Sequence, residues 1–279
     1  MRTRIIVFTA ATVLFAQSDG GSLGGPPKYL NLSDARQIIG PSIVATERNW
    51  QARARYAYME LDESRRLDMD GRVKSQDVDV SRIISVNGVP FEQLVEHNGR
   101  PLSAEERMKQ EERIEKQKRE TPEERAARLE KEQENRSFIR EVPAAFDFQL
   151  VGEDVVNGRP AYVLQATPRP GYQAHGKYGN IFSKVEGKLW IDKQDFGWVK
   201  VDGQVIQPIS MGLFLARVLR GSHIKMEQTR VAERTWLPER IEVRASAKIF
   251  FVKSLVIDKI LTYSDYRLAQ SDAFATARQ

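Results

Sequence analysis

The chain has 279 residues, 41% hydrophobic and 29% charged, a length that exceeds the usual domain but that one large β sandwich or barrel can reach. A formal charge of +5 is too mild to mark a nucleic-acid binder and favours acidic lipid headgroups only weakly. The absence of cysteine excludes disulfides, thiol nucleophiles and a lipid-modified N-terminal cysteine.

The first residues read as a secretory signal over 1–16. Arg2 and Arg4 give a positive start, and Ile5 to Ala16 is an apolar stretch too short to cross a bilayer. Ala16 suits the residue before cleavage. The mature protein is therefore expected to be exported, periplasmic and soluble, without a covalent anchor. Its formal charge is two lower once Arg2 and Arg4 are removed. Residues 17–32 read as a flexible linker, because Gly20 to Pro27 (GGSLGGPP) is rich in glycine and proline and follows no strand that could make it a phosphate loop.

A helix is expected from Ser33 to about Asn49, with Ile38, Ile39, Ile43 and Val44 on one apolar face. Gly40-Pro41 should kink or split it. From Arg53 the pattern turns to strands. Val78-Asp79-Val80 and Ile84-Ser85-Val86 alternate with period two, and Asn87-Gly88 signals a tight hairpin. Val89 to Val95 is the return strand or a short helix.

Residues 100–141 are dense in Glu, Arg and Lys. Ser103 to Glu106 and Thr121 to Glu124 each fit a capping box, the second with proline at the first helical position, so helices are expected over about 104–119 and 122–140. Met108, Ile114 and Leu129 are too sparse for a wide buried face, and the segment reads as a solvated helical insertion. Opposite charges three and four apart support such helices.

The remainder reads as strands: Phe146 to Val151, Ala161 to Ala166, Lys188 to Asp192, Trp198 to Ile206, His223 to Arg230, Leu237 to Ile249 and Leu255 to Tyr266. Asn157-Gly158 marks a second hairpin, and Pro168 to Gly179 a loop. Strands that follow one another without helices between them form antiparallel sheets, here of about ten strands. The expected class is mainly β with α, an antiparallel sheet with a helix lying against it and a charged helical insertion.

Chemistry-bearing patterns are few. His97, His175 and His223 lie far apart and make no short-spaced ligand pair, so neither structural zinc nor another metal is expected. No serine sits in a Gly-x-Ser-x-Gly elbow. Asp192 and Asp195 read as turn residues, and a hydrolase built from dispersed carboxylates ranks last. No cofactor is expected, and the protein reads as a non-enzyme.

The apolar runs say more. Met211, Leu213, Phe214 and Leu215 form a compact cluster, and Phe250 with Phe251 forms another. Ordinary core is one account of them. The other is the lining of an apolar cavity inside a curved sheet, with Trp190 and Trp198 beside it, where an acyl chain could lie.

Two segments resemble a known superfamily. Gly187-Lys188-Leu189-Trp190-Ile191-Asp192 followed by Trp198-Val199-Lys200-Val201 resembles the strand–turn–strand of lipoprotein-localization factors, the LolA-type carrier and its LolB-type outer-membrane receptor. Thr235-Trp236-Leu237-Pro238 and Tyr263-Ser264-Asp265-Tyr266 resemble two later strands of that superfamily. The resemblance covers about Phe146 to Tyr266. It implies one domain over 33–279 built as an unclosed β barrel covered by helices, whose cavity receives lipid or lipoprotein acyl chains. It also implies peripheral membrane contact or an envelope protein partner. The chain departs from the pattern by its charged insertion and by lacking the receptor's lipid anchor. The carrier's gating arginine aligns with no one position here. An envelope interaction module, with the insertion as contact arm, is the alternative reading.

Overall fold

The computed structural model describes residues 32–173, 179–211, 216–249 and 253–269. The expected signal and all of the expected linker except Leu32, which opens a helix, lie outside these residues, as do His175, Leu213, Phe214, Leu215, Phe250 and Phe251. Met211 falls within a strand, and its side chain lies outside the description.

Thirteen strands form one sheet. In chain order they are β1 (Tyr56–Leu67), β2 (Val73–Val86), β3 (Val89–His97), β4 (Arg100–Pro101), β5 (Phe146–Val156), β6 (Arg159–Pro168), β7 (Val185–Asp192), β8 (Trp198–Val205), β9 (Ile209–Met211), β10 (Ala216–Val218), β11 (His223–Ala232), β12 (Thr235–Ile249) and β13 (Lys253–Leu268). The spatial order is β4-β3-β2-β1-β13-β12-β11-β8-β7-β6-β5, with β10 on β12 and β9 on β10. Every pairing is antiparallel. β4 and β5 stand at opposite ends of the path, so the sheet is an unclosed barrel.

The hairpins follow the turn chemistry. Asn87 and Gly88 both take positive φ, at 53° and 76°, as the two-residue turn between β2 and β3 requires. Asn157-Gly158 repeats this between β5 and β6, and Asn98-Gly99 does so before β4. The last of these was not singled out from sequence, because β4 has only two residues.

Helix α1 (Leu32–Arg53) packs against the sheet at β5, β8 and β12. Of the kink or split expected at Gly40-Pro41, the split does not occur, and the helix runs unbroken through Pro41. Ala35, Ile38, Ile39 and Ile43 are buried against Phe146, Phe148 and Leu150 of β5 and against the strands beyond, and this packing outweighs one missing backbone bond. Three polar contacts fix the helix to the sheet. The Trp198 indole donates to the Ser42 hydroxyl at 3.0 Å, the Trp236 backbone N–H donates to the Asn49 side chain at 3.2 Å, and Arg48 Nε donates to the Arg234 carbonyl at 3.2 Å.

The charged insertion forms helices α2 (Ala104–Lys118) and α3 (Pro122–Arg136), each opened by the capping box its sequence specifies. A third helix, α4 (Phe138–Ala145), follows where a continuation of the second was expected. Phe138, Ile139, Val142 and Ala145 of α4 are buried and join the core under α1. α2 lies against β2 and β3 and buries no residue. A one-turn helix, α5 (Gly179–Phe182), closes the end of the core with Ile181 and Phe182. None of the described helices is long and apolar enough to cross a membrane.

A candidate ligand cavity under the helical insertion

Between the concave face of β11–β13 and the helices lies a cavity of about 620 Å³. That size is typical of small-molecule sites, which run to about 300–1,000 Å³. Its floor is Met226 and Gln228 of β11, Trp236 to Pro238, Ile241 and Val243 of β12, and Lys259, Leu261 and Tyr263 of β13. Trp198 of β8 and Phe138 and Ile139 of α4 close one flank, and Gly88 to Pro90 of the β2–β3 hairpin the other.

The roof comes from two helices. α1 contributes its last turns, with Thr46, Asn49, Trp50 and Arg53. α3 contributes Leu129, Glu132, Gln133 and Arg136. Those α3 positions fall at i, i+3, i+4 and i+7, one stripe of a helix. The insertion therefore lies over the cavity with a narrow stripe, although its apolar residues are too few for a wide buried face.

Polar groups gather at the Trp50 end. Trp50 is 40% exposed and has two guanidinium groups over its ring, Arg136 at 4.4 Å and Arg53 at 5.2 Å from the centroid. Arg53 Nε donates to the Tyr58 hydroxyl at 2.7 Å, and the Tyr58 ring meets Tyr263 edge-on at 5.9 Å and Tyr266 at a tilt at 4.9 Å. Burial pushes the Tyr263 and Tyr266 hydroxyls well above the usual tyrosine range, so both stay neutral donors. Tyr266 spends its proton on the Pro238 carbonyl at 2.6 Å.

Arg53 and Pro90 also border a side chamber of about 130 Å³, lined further by Glu60, Ile83 and Glu92. Glu60 is only 5% exposed. Burial, then the neighbouring Glu92, pushes its carboxyl up to about 7, against the pull of Arg53. Glu92 accepts a hydrogen bond from the Ser81 hydroxyl at 3.1 Å. On the cavity wall the Gln228 side-chain oxygen is buried with no hydrogen-bond partner among the described residues.

The sequence-selected residues divide. Trp198 lines the cavity, whereas Trp190 packs with Ala161, Val163, Val199 and Trp236 in a separate cluster and donates to Asp154 at 3.0 Å. The β7–β8 pairing explains the split. Its register shifts between Trp190 and Ile191, so Trp190 faces Lys200 and Ile191 faces Trp198, and the two indoles leave opposite sides of the ribbon. Sequence reasoning missed Trp50, Arg53, Arg136 and Tyr263. The four-residue stripe on α3 and the crowding of Asn49, Trp50 and Arg53 at a helix end were the signals for them. His97 pairs with Asp79 at 2.5 Å on the β2–β3 ribbon and His223 begins β11. Among the described residues no group of acids and histidines is arranged to hold a metal ion.

No protein-family model matches the chain, and no curated protein matches it. Three solved structures show a distant likeness to this chain. A DUF1329 family protein from Desulfovibrio piger is 12% identical, with 88% of this chain and 99% of that one covered at a TM-score of 0.34. A LolA superfamily protein from Nitrosomonas europaea is 14% identical, with 86% and 95% covered at 0.32. The Pseudomonas aeruginosa MucA/MucB complex is 13% identical, with 85% and 100% covered at 0.23.

Proposed function

We propose that this is a periplasmic binding protein, not an enzyme, and that it holds a lipid or the acyl chain of a lipoprotein in the cavity beneath α1 and α3. The observation that carries this reading is the roofed cavity of about 620 Å³, walled by Trp50, Phe138, Ile139, Trp198, Val243 and Leu261. Its wall is continuous and largely apolar, which suits a chain with no directional demands and gives affinity at about 0.8 kcal/mol per methylene buried. The roof is a separate helical layer, so a chain can enter by displacing α3 without breaking the sheet. The signal-like residues 1–16 support export.

Native mass spectrometry of protein purified from envelope extract without detergent tests the reading. A reproducible adduct of lipid mass is expected. A clean apo mass that persists after incubation with lipid would contradict it.

An envelope protein partner is the second reading. It is favoured by α2, whose fifteen residues include none buried and which therefore presents most of its charged surface outward. Deleting 104–118 should then abolish partner capture while the β sheet stays folded, and capture that survives the deletion excludes α2 as the contact.

A further inference from the structure

Among the described residues neither of the two arginines over Trp50 makes a direct ion pair. Among the described residues Arg136 makes no hydrogen bond and no ion pair, and its one specific contact is the Trp50 ring at 4.4 Å. Arg53 makes one hydrogen bond, to the neutral Tyr58 hydroxyl, and likewise no ion pair. Both line the same end of the cavity.

Every acid that faces them is otherwise engaged or poorly able to carry charge. Glu132, on the same face of α3 as Arg136, lies 3.9 Å from Arg128. Glu47 of α1 pairs with Arg140 at 2.5 Å. Glu92 of β3 accepts from Ser81, and buried Glu60 of β1 holds its proton up to about 7. Lys259, the other cation of the wall, is bonded to Asp62 at 2.7 Å. Burial lowers the Arg136 guanidinium to about 10, outweighing the opposite pull of the neighbouring Glu47 and Glu132 carboxylates.

We propose that Arg136 and Arg53 form the headgroup site of the cavity and select a single-chain amphiphile with an anionic head, a carboxylate or a phosphate monoester. The inference rests on the cavity reading and sharpens it. The chain lies along Leu261, Val243 and Ile241, and the head sits beside Trp50, where guanidinium groups can make charge-assisted and forked hydrogen bonds to oxygen anions. Trp50 holds both arginines in place by stacking, and Arg53 is further fixed by Tyr58.

The test compares three ligands of matched chain on the purified protein: palmitate, palmitoyl lysophosphatidic acid and palmityl alcohol. Calorimetric affinities are measured for the wild type, Arg136→Gln and Arg136→Lys, with melting curves to confirm that each variant is folded. At least one anionic ligand should bind about tenfold more tightly than the alcohol, the size of one charge-assisted hydrogen bond. Which of the two does so names the headgroup. Arg136→Gln should bring that ligand down to the level of the alcohol, and Arg136→Lys should keep part of the advantage. If the alcohol binds as tightly as both anions, or the advantage survives Arg136→Gln, the headgroup site is overturned while the cavity reading stands. If none of the three binds, the cavity reading falls and the headgroup site with it.

Discussion

The Asp195 carboxylate accepts a hydrogen bond from the Trp236 indole N–H at 3.3 Å, joining the β7–β8 turn to the start of β12 across 41 residues. Around that bond the turn is tightly wired. Asp192, fully buried, receives both Arg159 Nε at 2.6 Å and Arg159 Nη2 at 2.9 Å, and also accepts from the backbone N–H groups of Gln194 and Asp195. Asp195 lies 3.1 Å from Arg230 Nε. Trp236 thereby reaches the cavity floor from a fixed position.

Gly197 completes this turn, and its need for glycine is steric. A Cβ at this position would stand 2.4 Å from Trp236 Cδ1. Gly197→Ala should therefore destabilise the protein by about 2 kcal/mol, in the range for overpacked cores, and weaken ligand binding as the indole shifts. Urea denaturation measures the first effect, and a stability unchanged within error would show that Trp236 is free to move.

Asp192 should show the largest single-residue effect outside the apolar core. Burial pushes its carboxyl up, but the Arg159 fork and two backbone N–H groups outweigh this and hold it below its ordinary value of 3.8. Removing the carboxylate leaves two backbone N–H groups without their acceptor and Arg159 with only its longer contact to Asp195, so Asp192→Ala is expected to cost about 3 kcal/mol at neutral pH. Because the native value is depressed, the Asp192 contribution is present above about pH 4 and is lost as pH falls through the native value. The difference between wild type and variant in denaturant midpoints should thus shrink in acid.

Glu60 has the opposite sign. Its carboxyl is raised from 4.5 to about 7, so the fold is favoured while Glu60 is protonated, and this advantage disappears as pH rises through about 7. The shift corresponds to roughly 3 kcal/mol at full ionisation. Glu60→Gln should match the wild type near pH 4 and exceed it in stability by up to that amount at pH 8. Parallel pH profiles of the two proteins would show that Glu60 is solvated in solution.

Filling the cavity should separate binding from folding. Val243 and Leu261 face the empty space, and Val243→Phe with Leu261→Phe adds volume where the wall has room. Chain affinity is expected to fall by at least about tenfold with a melting temperature close to wild type. Undiminished binding by this variant would place the chain elsewhere.

The fold was legible where one local rule decided the outcome. Asn87-Gly88 and Asn157-Gly158 imposed their hairpins, and Ser103 and Thr121 opened α2 and α3 through capping boxes. The helix over Ser33–Asn49 was placed, and it runs unbroken through Pro41, where burial of Ile38, Ile39 and Ile43 holds it together. The site was harder to read. Which side of the sheet Trp190 and Trp198 occupy depends on one register shift that no periodicity records. Arg136 sits in a segment whose composition looks uniformly solvated, and only the fold brings its α3 stripe to the cavity wall.

The most direct test of the account uses the tryptophans as reporters. Three of the four, Trp50, Trp198 and Trp236, line the cavity. A fatty acid brominated in its chain quenches indole emission only at contact. Titrating such a chain into the protein should quench most of the tryptophan fluorescence in a saturable manner, with no loss for the unbrominated acid. Binding detected by calorimetry without quenching would put the chain outside this cavity and contradict the account.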